Sequence, residues 1–326
     1  KLALQVFGYY LEAHENASRN KKDFKLVISK INGVIEAEDI REVDGELLEA
    51  ALGVVRASMA VFPDKILASN SEDMWANIAK CLSHPDTPVK VASIGLISSF
   101  LADFAQKAGS TPISESVEGS YGLELDLAKV QDLVRQALGV VATRDVDEKL
   151  GAEAVQVLVF LAPRLPVRPP VEEEESESEE QAEEQEDADE VEEKQRKTDL
   201  QHLFWKLSHI IRREIPPRAV AITPKVAAME ILETVCRRSP LDRLQPSLKT
   251  ILVPLHNLTD PSIAPPFSND ELFKTKHEGL KTRAQILMDA LQKKFGTAEY
   301  TKQLLAAAPS LASRREALPQ REAATG

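Results

Sequence analysis

Cysteine, glycine and aromatic residues are all scarce in this chain, and it has no long hydrophobic run. Its two cysteines, Cys81 and Cys236, are far apart in sequence and form neither a disulfide framework nor a metal knuckle, a usage that fits a reducing compartment. Only 13 glycines and an aromatic fraction of 5% argue against a sheet protein, which draws on both. No run of eighteen or more apolar residues occurs and no signal peptide opens the chain, so no membrane partner is expected. Hydrophobicity rests instead on Leu, Ala, Val and Ile within an apolar fraction of 43%, which suits packed helices. The 326 residues leave room for one or two domains with sizeable cores.

Charge is distributed unevenly. Residues 172–193 read EEEESESEEQAEEQEDADEVEE and hold 15 of the 52 acidic residues without a single Lys or Arg. Such a segment cannot bury enough surface to offset its ordering entropy, and its charges repel, so disorder is expected there. Ser176 and Ser178 lie among these acids as candidate sites for an acid-directed kinase. Before the run, 18 basic residues meet 24 acidic ones, a balance of −6; after residue 193, 22 meet 13, a balance of +9.

Helical periodicity covers most of the rest. It predicts helices over 2–13 and 23–34, a third opening at Asp44–Gly45 and stopping near Phe62–Pro63, and a fourth over 72–82 carrying Trp75 and Ile78. The turn His84-Pro85-Asp86-Thr87-Pro88 separates the fourth from a more apolar helix through Val89, Ile94, Ile97 and Phe100. Residues 107–124 read as a loop, and helices follow over 125–141 and 146–161 until a proline series ends them. Past the acidic run, Thr198–Asp199 starts a helix with Leu200, Leu203, Phe204, Leu207, Ile210 and Ile211 on one stripe. Three more follow, from Thr223–Pro224, over 246–258 and over 270–295, and residues after Pro309 are expected to fray. The chain opens on Lys1 within an apolar pattern, so a piece of a longer protein is expected. The domains expected are 1–168 and 198–309, both helical, joined by an acidic linker over 169–197 and followed by a tail over 310–326.

Chemistry-bearing patterns are few. His202 and His209 are two turns apart on one helix, too far to share a metal without help, and a structural or surface role is the simpler reading. No nucleophile elbow, phosphate loop, dinucleotide fingerprint or zinc-protease helix occurs, so neither an enzyme nor a cofactor nor a small-molecule substrate is expected. Trp75 reads as a tryptophan packed between helices more readily than as an interface anchor. The basic residues Lys206, Arg212, Arg213, Arg218, Lys225, Arg237, Arg238, Arg243 and Lys249 crowd the ends and turns of three successive helices. They are the candidate RNA- or protein-contacting surface, read either as one stripe for phosphates or as solvated helix ends with cations at C-termini. With few interleaved aromatics beyond Phe204 and Trp205, contact with an RNA backbone or an acidic protein is favoured over base readout.

Two resemblances give these helices a context. Leu82, Asp86, Val89, Lys90, Ala92 and Leu96 match the HEAT-repeat pattern of a helix ending in leucine, an Asp-containing turn and a second helix, with lysine in place of the usual arginine. The whole then reads as an all-α chain: an α-solenoid of HEAT-like antiparallel helix pairs interrupted by the disordered acidic insertion. The second piece, DLQHLFWKLSHIIRREIPPRA followed by KVAAMEILETVCRRSPLDRLQPSLKTILVPLHNLTD, resembles the C-terminal end of the down-regulated-in-metastasis family. The matching features are Lys206-Leu207-Ser208-x-Ile210, Pro217–Arg218, the helix from Lys225 to Leu232, and Leu244-x-Pro246 through Pro254-Leu255. Trp75 and LSHPDTPVKVASIGLISSFLA look like a repeat of the same family.

About half of the chain carries recognisable residues of that family, and none is a catalytic signature. The resemblance implies a non-enzymatic scaffold of the nucleolar small-subunit processome (the 90S pre-ribosome), acting in pre-18S rRNA processing and 40S subunit assembly. Its implied partners are other processome proteins and pre-rRNA or U3 small nucleolar RNA, and its implied location is the nucleolus. The family pattern includes a strongly basic tail, whereas here only Arg314, Arg315 and Arg321 follow Pro309, which leaves a tail's share in RNA binding open. The competing expectation is a protein-only HEAT scaffold or a transport-receptor-like adaptor.

Overall fold

The computed structural model describes residues 29, 31, 33–35, 39–61, 71–108, 117–118, 124–143, 146–167, 199–261 and 268–307. The expected helix over 2–13, most of that over 23–34, the acidic run and the tail lie outside these residues. The described residues are helical almost throughout, and the chain falls into two compact units, Lys1–Arg164 and Leu165–Gly326. The division thus precedes the acidic run and falls slightly ahead of the expected end of the first domain.

In the first unit the helices are α1 (Gly45–Val61), α2 (Ser71–Lys80), α3 (Thr87–Ala108), α4 (Leu127–Ala142) and α5 (Glu148–Leu161). Asp126 caps α4 by accepting from the Lys129 N–H, and Asp147 caps α5 by accepting from those of Lys149 and Leu150. Helices α2 and α3 pair, as do α4 and α5. Contacts also join helices two places apart: α1 with α3, α3 with α5, α2 with α4. A short antiparallel ladder joins β1 (Val117–Glu118) to β2 (Glu124–Leu125), an extended pairing that helical periodicity does not announce.

The His-Pro turn fastens α3 to α1. His84 is 1% exposed, and its Nδ1 accepts from the Asp86 N–H at 3.1 Å. The ring proton therefore resides on Nε2, which donates to the Val43 carbonyl at 3.2 Å just ahead of α1. Asp86 reaches the same helix start: a β-carbon at Gly45 would collide with the Asp86 carboxylate, so glycine is what lets the turn approach. Ser93 Oγ donates to the Ile78 carbonyl at 2.6 Å across the α2–α3 pair. Trp75 meets Phe100 edge-on at 5.0 Å between the same helices, the packing role expected of it.

The second unit comprises α6 (Leu200–Arg212), α7 (Thr223–Arg238), α8 (Leu248–Thr259) and α9 (Glu271–Phe295). A single helical turn, Leu241–Leu244, and a 3-10 turn, Gln245–Ser247, lead into α8. Gly296, at φ +78°, closes α9, and a further helix, α10, follows over 297–307. Packing repeats the rule of the first unit: α6 pairs with α7 and α8 with α9, while α6 meets α8 and α7 meets α9. Leu203, Phe204, Leu207, Ile210 and Ile211 of α6 are buried, as the stripe requires.

Candidate nucleic-acid interface

Hydrogen bonds fix which helix termini of the second unit share an end. At one end, the start of α6 meets the chain before the acidic run: the Leu200 N–H donates to the Pro166 carbonyl at 3.0 Å. Arg243 donates to the Leu165 carbonyl at 2.6 Å. Lys294, near the close of α9, donates to the Cys236 carbonyl at 2.9 Å and to that of Ser239. This is the Asp199 end, named for the cap that accepts from the His202 N–H at 2.7 Å. At the other, Asp270 end, Ser268 Oγ donates to the Pro217 carbonyl at 2.8 Å, and the Ala219 N–H donates to Asp270 Oδ2 at 2.9 Å. Pro217 and its neighbours thus form the turn that the α8–α9 connection grips.

The nine candidate cations do not line up as one stripe. Arg212, Arg213, Arg218 and Lys225 belong to the Asp270 end, Arg237, Arg238, Arg243 and Lys249 to the Asp199 end, and Lys206 sits between them on α6. Consecutive turns of helical hairpins alternate ends, and the 16 residues of α7 hold the two groups roughly 24 Å apart. A Debye length of about 8 Å at physiological salt makes them electrostatically independent.

The ends also differ in quality. Asp260, Asp270, Glu214 and Glu271 stand among the cations of the Asp270 end. At the Asp199 end, Arg237 pairs with Glu233 at 2.6 Å, and Glu233 also holds Arg283 at 2.7 Å. Arg243 is half-buried against backbone, and burial pulls its pKa below the usual arginine range while Asp242 opposes the shift. Arg238, Lys249 and Lys293 stand exposed, with Lys294 half-buried behind them. Lys293 and Lys294 escape a reading by sequence order because they lie far along the chain from Lys249, and only tertiary packing joins them.

Other reactive groups are committed to the core. Both cysteines are buried, and burial pushes each thiol up to about 12, so neither is a nucleophile at neutral pH. Among the described residues, no three His, Cys, Asp or Glu side chains gather in a way that could hold a metal ion. His202 and His209 instead flank Trp205, which is 48% exposed on α6. Its neighbour Phe204 is fully buried, so two aromatics adjacent in sequence have opposite fates. What the arrangement offers chemically is a set of cations gathered at one end of paired helices, suited to holding anions. No protein-family model matches the chain, and no curated protein matches it.

Proposed function

We propose that this chain is a non-enzymatic helical-repeat scaffold of the HEAT type, and that it serves the nucleolar small-subunit processome by holding proteins and pre-ribosomal RNA. The observation that carries the scaffold reading is the packing rule common to both units. Helices contact their hairpin partners and the helices two places along. That agrees with the nearest-neighbour pattern of a solenoid, in which each repeat touches only its neighbours and long surfaces are left for partners. The processome assignment rests on the resemblance of the second unit to the down-regulated-in-metastasis family, and it brings with it a nuclear and nucleolar location. The RNA contact rests on the Asp199 end, where Arg238, Lys249 and Lys293 offer cations to phosphates.

The test is the affinity of the whole chain for unpaired RNA as a function of salt. Contact with phosphates predicts a linear fall of log K with log salt, about 0.7 per phosphate engaged. Charge reversal at Arg238 and Lys249 together should then flatten the slope by about 1.4. Binding that ignores salt, or a slope unmoved by those substitutions, refutes phosphate contact at this end. The second reading, a protein-only adaptor, is favoured by the exposed Leu272, Ile286 and Leu305 on α9 and α10. It gains if RNA binding is absent while substitution of these residues releases protein partners.

A further inference from the structure

We propose that the outer ridge of α6 is a stacking site for an unpaired RNA base, with the Trp205 indole as its platform; the proposal rests on the RNA-binding reading above and assigns it a base-contacting element. Four residues make the ridge. His202, Trp205 and His209 follow at intervals of three and four, which places them on one face of the helix. The rings of His202 and Trp205 have centroids 5.6 Å apart and planes 29° apart, and those of Trp205 and His209 are 5.9 Å and 20° apart. The Lys206 ammonium stands 5.0 Å from the indole centroid. The opposite face, through Leu203, Phe204 and Leu207, is already buried.

Packing does not account for this indole. Trp75, the other tryptophan, is 4% exposed between α2 and α3, whereas Trp205 is 48% exposed. The imidazoles stack on it, one at each side in sequence, with centroid separations of 5.6 and 5.9 Å that are ordinary for offset rings. With the Lys206 ammonium over the ring as well, the residue still keeps 48% of its surface exposed, and that surface is what a base would use.

The neighbourhood selects the occupant. A protein interface core is depleted of lysine and gathers apolar side chains round its tryptophan, but here the flanking groups are two imidazoles and an ammonium. An acidic peptide would engage Lys206 and leave the indole idle, because carboxylate side chains have no π face. An unpaired nucleotide uses both: its base stacks on the ring and its phosphate meets Lys206. Sequence order sets base contact aside for want of aromatics. The structure supplies an aligned aromatic ladder from one tryptophan and two histidines.

The whole chain should be titrated with an oligouridylate and with an abasic oligomer of equal length, following tryptophan emission and affinity together. Oligouridylate should quench the exposed, red-shifted emission of Trp205 and leave that of Trp75. Trp205→Ala should weaken its binding by about tenfold, Trp205→Phe should restore most of the loss, and the abasic oligomer should bind the wild type about tenfold more weakly. Far-UV circular dichroism of both variants checks that the helices persist. Salt-steep binding that ignores both Trp205→Ala and loss of the bases overturns the stacking site but leaves phosphate contact standing. Binding of neither oligomer overturns both readings. Quenching by polyglutamate in place of RNA overturns the proposal in favour of an acidic protein partner.

Discussion

One carboxylate oxygen of Asp270 accepts from the N–H groups of Leu272 and Phe273, capping α9, while the other accepts from Ala219 and ties down the α6–α7 turn. The Ala219 bond is the largest of the causes that hold this carboxyl below its ordinary value of 3.8, with Phe273, Leu272 and Lys276 adding to it against some desolvation. A depressed folded pKa means that the unfolded chain takes up the proton first. The stabilisation is therefore complete above 3.8 and is lost as pH falls through the lower folded value. Unfolding by urea should show a midpoint that drops on acidification through this range, and Asp270→Asn should reduce the dependence while lowering the midpoint at neutral pH. An unchanged pH profile in the variant would show that the staple is idle. The two tryptophans offer a sharper contrast. Trp75→Ala removes a buried ring packed on Phe100 and should cost about 3–5 kcal/mol in chemical unfolding, whereas Trp205→Ala should change stability by about 0.5 kcal/mol or less. Similar losses at both sites would contradict the burial described above.

Element by element, the chain is most legible where capping and apolar stripe agree. Asp126, Asp147, Asp199 and Asp270 each accept from backbone N–H groups at a helix start, close to where the patterns place those starts. Burial on α6 falls on the stripe itself. What stays illegible is governed by single backbone events or by long-range pairing. The β1–β2 ladder is two residues long, too short for any alternation to register. Helix α10 hides because its residues continue the helical composition of α9, and only Gly296 separates them. At φ +78° that position suits glycine, and its carbonyl accepts from the Tyr300 N–H to begin α10. Gly296→Ala should therefore destabilise the second unit by about 1–2 kcal/mol, read by thermal unfolding, with faster amide exchange over 297–307 as its local signature. A silent substitution would mean that the two helices merge without strain.

For the molecule as a whole, the acidic run is where sequence and tertiary contacts must be combined. Composition makes residues 172–193 a leash between pieces of opposite charge, and the helical pattern on either side makes them an insertion between repeats, but neither says where the flanking chain lies. Yet the chain entering it and the chain leaving it meet in the second unit, through the 3.0 Å bond from the Leu200 N–H to the Pro166 carbonyl. Described residues on either side of the run thus share the Asp199 end with Arg238, Lys249 and Lys293, a proximity that sequence order alone does not reveal. We predict from this that the run, with its 15 carboxylates, competes with RNA for those cations as a tethered polyanion. Deleting 172–193 changes the formal net charge from −12 to +3, since the run contains no basic residue. Affinity for unpaired RNA should rise on deletion. The gain should be greatest at low salt and should shrink as ionic strength rises, because carboxylates and phosphates compete for the same cations and screening weakens both. Adding polyglutamate in solution should reproduce the inhibition only at concentrations far above that of the protein, the mark of a lost tether. If the deletion leaves affinity unchanged at every salt concentration, the run acts as a spacer and the cations of the Asp199 end face partners unopposed.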